Sequence, residues 1–246
     1  MGCDKISSGC LNCYAERLTQ DRMGLHLWGA ESERRVTSAA NWAKPLSWNL
    51  QAQRGGQRRK VFCGSLMDWA EDHPTAAATR GRLWDLIRAT PWLDWQLLTK
   101  RAERIRDCLP EDWADGYGNV WLGVTVEDDR YVWRASELAQ IPAVVRFVSY
   151  EPAIGPVPNL DLAGIDWLIC GGESGPKHRP FDPQWARDVE AQCRASGTAF
   201  FFKQSAGWRT ELGTELDGRT VKEYPIPRSD RPARRQTLSS LAQSAP

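Results

Sequence analysis

Histidine is scarce: only three occur in 246 residues, and none pairs with a second at ligand spacing. His73 precedes Pro74 at a predicted helix start, and His178 falls in a loop. There is no H-E-x-x-H, G-x-x-x-x-G-K-[ST] or G-x-S-x-G segment, which excludes the zincin, P-loop and nucleophile-elbow templates. No apolar run reaches the roughly 18 residues of a membrane-spanning helix. The opening MGCDKISSGC has no basic stretch leading into an apolar one, so no secretory leader is expected and a cytoplasmic location is. Its serines begin at position 7, which also misses the myristoylation pattern. Excess charge of one sign is lacking: 32 basic against 31 acidic residues leave +1, so any nucleic-acid affinity must come from local patches.

What the sequence does have is cysteine and tryptophan, seven and thirteen residues respectively. An odd cysteine count without a secretory leader argues against a disulfide framework. Cys63, Cys108, Cys170 and Cys193 lie singly among apolar residues and read as buried small hydrophobes. Cys3, Cys10 and Cys13 crowd a Gly/Ser/Asn-containing loop as C-x6-C-x2-C, where packing gives no reason for three thiols. Three thiolates suit a soft metal. A structural zinc wants a fourth ligand, for which His26 or Cys63 is available. An iron–sulfur cube with three protein thiolates instead leaves one iron open. An open iron can bind S-adenosylmethionine and deliver an electron to its sulfonium, producing a 5′-deoxyadenosyl radical. The zinc alternative, a nucleic-acid-binding protein without redox chemistry, draws on Arg54–Lys60, the Arg-rich C-terminus and the tryptophans.

Along the chain, YAERLTQDRMG after Cys13 has helical spacing, and residues 25–60 read as irregular. Short apolar runs then recur at Val61–Gly64, Trp95–Thr99, Val120–Val124, Val144–Ser149, Trp167–Gly171 and Ala199–Lys203. Helical patterns fill several gaps, at Thr75–Ala89, Ala102–Leu109, Asp129–Ala139 and Pro183–Ser196. This cadence predicts an α/β fold with a parallel sheet. A doubly wound sheet also fits, but a parallel, partial TIM-like barrel of about six βα units is favoured. The barrel domain is placed at 1–222, with 1–13 as a cluster loop. Residues 223–246, rich in Pro, Arg and Ser, are expected to form a disordered tail.

In such barrels the chemistry lies at the carboxyl ends of the strands. Those ends here read Cys63-Gly-Ser65-Leu-Met-Asp68, Thr99-Lys100-Arg101, Thr125-Val-Glu127, Ser149-Tyr-Glu151, Gly171-Gly172-Glu173-Ser174 and Lys203-Gln-Ser205. Together they predict the rim of one polar site. Gly171 and Gly172 would let a ligand approach the backbone, and Glu173 would accept from an amine or ribose hydroxyl.

GCDKISSGCLNCYAER, FCGSLMDWAEDHP, WQLLTKRAERI, NVWLGVTVED, RFVSYEPAIGPV, DWLICGGESGPKHRPFDPQWARDVEAQC and FFFKQSAG follow one another between Gly2 and about Gly207. In this order they resemble a phage and prophage family with a three-cysteine motif, regarded as radical-SAM-like. The resemblance implies an incomplete TIM-like barrel, a [4Fe-4S] cluster on Cys3, Cys10 and Cys13, and S-adenosylmethionine at the strand ends. Gly171, Gly172, Glu173 and Ser65 would help bind that cofactor. Ser149 and Glu151 would line the substrate side, and Lys203 would hold a carboxylate or phosphate. Some members are linked to thymidine hypermodification in viral DNA, which implies isomerisation of an N-linked glycyl thymidine to its C-linked form. The implied partners are that DNA substrate and a reductant such as flavodoxin, in the host cytoplasm if the chain is phage-encoded. The x6, x2 spacing differs from the commonest radical-SAM spacing, x3, x2, and Asn12 stands where an aromatic is usual. Family chains usually carry a strand before the first cysteine, whereas Met1 is here two residues from Cys3: either the start is misplaced or truncated, or this version lacks that strand, which would expose a sheet edge.

Overall fold

All six apolar runs form strands: β1 (Arg59–Cys63), β2 (Leu93–Thr99), β3 (Val120–Thr125), β4 (Val145–Tyr150), β5 (Trp167–Gly171) and β6 (Ala199–Gln204). A computed structural model of the chain describes residues 1–230. The strands pair in parallel in sequence order, β1 to β6, and the sheet curls into a half-barrel. β1 is one edge of the sheet, and Phe62 on it is 49 % exposed. Beyond its end the N-terminus runs alongside, with Gly2 N donating to Leu66 O at 2.9 Å.

The helices are α1 (Tyr14–Arg17), α2 (Ala39–Arg54), α3 (Pro74–Arg88), α4 (Ile105–Cys108), α5 (Trp133–Ala139) and α6 (Pro183–Ser196). Their starts follow local chemistry. Asp182 accepts from Gln184 N ahead of Pro183, and His73 accepts from Thr75 N ahead of Pro74. Gly197, at φ 74°, ends α6 in the left-handed conformation that glycine takes without cost. One face of the sheet buries Trp95, Leu97, Leu122, Val124, Val148, Leu168, Phe200 and Phe202 against helices α2 to α6. The concave face carries a second cluster: Trp121, Val145, Phe147 and Trp167, with Leu98, Ile169 and Phe201 packed on it. Phe147 lies over Gly123, where a Cβ would collide with its ring.

Two expectations are corrected and one is refined. Residues 25–60 are not irregular throughout, since α2 fills 39–54. Its buried residues are Pro45, Asn49 and Ala52, a face with little apolar signal and a proline inside the helix. The helical pattern after Cys13 runs to Gly24 as expected, but α1 widens at once into a π-turn, Leu18–Arg22, where the buried Thr19 hydroxyl donates to Ala15 O or Glu16 O. Nor do contacts end at Lys222. Glu223 accepts from Phe200 N, Tyr224 packs 5.5 Å from Trp167, and Arg228 N donates to Val144 O at 2.8 Å. The remainder of the expected tail, 231–246, lies outside the described residues.

Candidate active site

Side chains alternate across a strand, so each residue two beyond a concave-face residue shares its face. From Leu98, Gly123, Phe147, Ile169 and Phe201 this period leads to Lys100, Thr125, Ser149, Gly171 and Lys203 at the carboxyl end of the sheet. The concave face thus runs from an apolar floor to a polar rim. At the amino end Tyr224 and Lys60 close it, the ammonium standing 4.6 Å from the Tyr224 ring and 5.7 Å from that of Trp121.

The cysteine loop lies across the polar end and is fastened by three buried carboxylates. Glu71 accepts from Asp4 N at 2.7 Å, Glu127 from the Ser7 hydroxyl, and Glu173 from the Asn12 amide at 2.9 Å. Each carboxylate has its own arginine: Arg34 on Glu71 at 2.7 Å, Arg134 on Glu127 at 2.9 Å, Arg179 on Glu173 at 2.5 Å. Burying these charges is tolerable only because they are paired and hydrogen-bonded. Burial disfavours the charged form of Glu173, but the hydrogen bonds from Arg179 and Asn12 outweigh it and hold its carboxyl below the usual range. The same balance holds for Glu71, with burial opposed by Arg34 and Asp4 N. Asp68 organises the next turn, accepting from the Thr99 hydroxyl, Lys100 N and Arg101.

The three loop thiols are free and partly exposed. Cys3 Sγ is 3.2 Å from Asp4 O and accepts from Arg101 at 3.6 Å, while Cys10 Sγ is 3.6 Å from Ser7 Oγ. Burial, reinforced by Asp68 and opposed by Arg101, pushes the Cys3 thiol up to about 12. Among the described residues no three Cys, His, Asp or Glu side chains stand together as a metal-holding group. His26 is exposed and does not join them. The donor set itself, three unpaired thiols on one anchored loop, suits a soft metal or an iron–sulfur cube. Cys108, Cys170 and Cys193 are buried as expected, and Cys63 is partly so.

The sequence-predicted rim residues divide into two groups. Ser149, Glu151 and Lys203 meet: Ser149 Oγ donates to Glu151 Oε2 at 3.2 Å, and Lys203 Nζ lies 2.9 Å from Glu151 Oε1. Lys203 remains 49 % exposed, so its ammonium faces the open mouth. Glu173, Gly171 and Gly172 serve the protein itself. Glu173 is filled by Arg179 and Asn12; the place of a Gly171 Cβ would be 2.6 Å from the Glu151 carboxylate, and that of Gly172 would collide with the Ser205–Ala206 backbone. The expected close approach at these glycines is therefore made by the chain's own atoms. Ser65 is exposed, and its carbonyl accepts from Tyr14 at 2.8 Å.

Tyr14 is a site residue the sequence reading passed over, because it looked like the first residue of an ordinary helix. Tyr14 is half exposed; partial desolvation, with Cys13 and Glu151 nearby, raises the pKa of its hydroxyl, which donates to Ser65 O. Through Tyr14 to Ser65 and through Arg17 to Ser174 O, α1 spans the mouth from the β1 end to the β5 end. A 490 Å³ cavity adjoins the β1 side, lined in part by Trp42, Trp48, Phe62 and Met67. No helix among the described residues is long and apolar enough to cross a membrane. No curated protein and no solved structure matches the chain. A family model described as "Protein of unknown function (DUF5131)" matches residues 1–225, and the chain belongs to that family.

Proposed function

We propose that the chain is a radical SAM enzyme built on an incomplete TIM-like barrel, with Cys3, Cys10 and Cys13 holding a [4Fe-4S] cluster. The observation that carries this reading is the cysteine loop: three unpaired thiols, tied by Asp4, Ser7 and Asn12 to three buried carboxylates over the mouth of the half-barrel. A cluster bound there would supply the electron for reductive cleavage of S-adenosylmethionine. The chain's own residues aim that chemistry. The arginine-backed carboxylates fix the loop, and α1 shields the mouth. On the concave face the partly exposed Ile169 and Phe201, backed by buried Phe147, would offer an apolar bed for a substrate ring. Lys203 would share its ammonium between Glu151 and a substrate carboxylate or phosphate, and Ser149 orients Glu151.

The substrate we assign to this site is a glycyl-modified thymidine in viral DNA, isomerised from its N-linked to its C-linked form, with a flavodoxin-like reductant and a cytoplasmic setting. That assignment draws on the family resemblance of the sequence. The enzyme class is tested by incubating anaerobically reconstituted protein with dithionite and S-adenosylmethionine. Formation of 5′-deoxyadenosine, absent from a Cys3/Cys10/Cys13→Ala variant, is the expected result. Cluster-loaded protein that releases none overturns the assignment.

A further inference from the structure

The arginines at the carboxyl end of the sheet each face a carboxylate: Arg34 and Arg101 face Glu71, Arg130 faces Asp128, Arg134 faces Glu127 and Arg179 faces Glu173. Arg17 differs. Among the described residues it has no acidic partner. Its Nη2 reaches only Ser174 O, at a long 3.4 Å, and its buried Nε, like that of Arg134, has no acceptor. A guanidinium nitrogen removed from water and left without an acceptor is an unmade charge-assisted hydrogen bond, which native structures seldom tolerate.

The position of Arg17 is also fixed. Its N–H donates to Cys13 O at 3.2 Å, one helical turn from the last loop cysteine. Its guanidinium lies flat against Gly175, where any Cβ would strike Nη1, Nη2 and Cζ. Gly175 stands at φ +124°, a conformation open to glycine, and Gly175 N donates to Gly207 O at 2.8 Å. Thus the backbone that follows Gly171-Gly172-Glu173 is shaped to seat this side chain. Glu173, meanwhile, is already consumed by Arg179 and Asn12.

We infer that Arg17 is the anion anchor of the site and binds the carboxylate of the methionyl group of S-adenosylmethionine. This rests on the radical SAM reading. A planar guanidinium fork matches the two oxygens of a carboxylate, and Arg17 places that fork beside both the cysteine loop and the β5 end.

The test compares binding of S-adenosylmethionine and its decarboxylated form to oxidised, cluster-reconstituted protein, which cannot turn over. Binding is measured by calorimetry for the wild type, Arg17→Gln and Arg17→Lys. The wild type should prefer the carboxylate-bearing form by about tenfold to a hundredfold, the scale of a hydrogen-bonded charge pair. Arg17→Gln should lose much of that preference, keeping only what the open iron would contribute through the same carboxylate, and Arg17→Lys should lose less. A ratio within one protein is insensitive to a uniform loss of folded material. If Arg17→Gln keeps the wild-type preference, or if the wild type binds both forms equally, the Arg17 assignment is overturned while the radical SAM reading stands. If the loaded wild type binds neither compound, both fall.

Discussion

Asn12 donates its side-chain amide to Glu173 at 2.9 Å and to Lys177 O at 2.8 Å, joining the residue before the last loop cysteine to the end of β5. The asparagine that stands in place of an aromatic is thereby the loop's fastening on that side.

The Glu173 carboxyl titrates below its ordinary value in the folded chain, so unfolding takes up protons as the solution is acidified. The stabilisation is complete above the ordinary carboxylate value of about 4.3 and is lost as pH falls through the lower, folded value. Wild type should therefore melt above Glu173→Gln at pH 6–7 by a constant margin, which narrows below about pH 4. Thermal unfolding of the apo-protein across that range checks this. A margin that widens with acid contradicts it.

Glu127 is wholly buried, and its charge is balanced by Arg134, which stacks 4.3 Å from the Tyr131 ring and leaves its own Nε without an acceptor. Removing Arg134 leaves Glu127 only its longer pairing with Lys100, at 3.5 Å, and the Ser7 bond. Arg134→Met should cost about 3–5 kcal/mol. The double variant Glu127→Met, Arg134→Met should recover much of that stability but not the Ser7 tether. In both, the thiols of Cys3, Cys10 and Cys13 should react faster with a thiol reagent than in wild type, measured residue by residue by mass spectrometry. Unchanged loop labelling in the double variant counts against Glu127 as the anchor.

At Gly9 an added Cβ would fall 2.5 Å from Glu127 Oε1. The carboxylate cannot retreat, because Arg134 and Ser7 hold it. Gly9→Ala should displace the loop and lower iron incorporation on reconstitution by severalfold, with a melting temperature only a few degrees down, since the sheet core is untouched. Iron analysis beside a melting curve separates the two effects.

Lys203→Met should leave the fold nearly unchanged, because a half-exposed ion pair contributes about 0–1 kcal/mol. Its effect should appear in substrate KM rather than in cluster content or in 5′-deoxyadenosine formed without substrate. A loss of cluster would mean that Lys203 acts on the loop instead.

The sheet was legible because parallel strands buried on both faces write near-continuous apolar runs, and each run from Val61 to Lys203 marks a strand within two residues. Helix α2 escaped because it turns Pro45 and Asn49 inward, residues that carry no apolar period. The rim was read as one group of polar ends, and the division within it could not be read. Arg34, Arg134 and Arg179, which take Glu71, Glu127 and Glu173 away from any ligand, lie 37, 7 and 6 positions from their partners, and no local motif links them. Tyr14 and Arg17 were hidden for the opposite reason. Helical spacing explained them well enough that the span of α1 between the β1 and β5 ends left no mark on the sequence.

The most direct test of the central claim is the low-temperature EPR spectrum of anaerobically reconstituted, reduced protein, with and without S-adenosylmethionine, beside the Cys3/Cys10/Cys13→Ala variant. The expected result is a reduced [4Fe-4S] signal that shifts on adding S-adenosylmethionine and is absent from the variant. A protein that takes up one zinc and no iron under the same handling, or a cluster signal indifferent to S-adenosylmethionine, would contradict it.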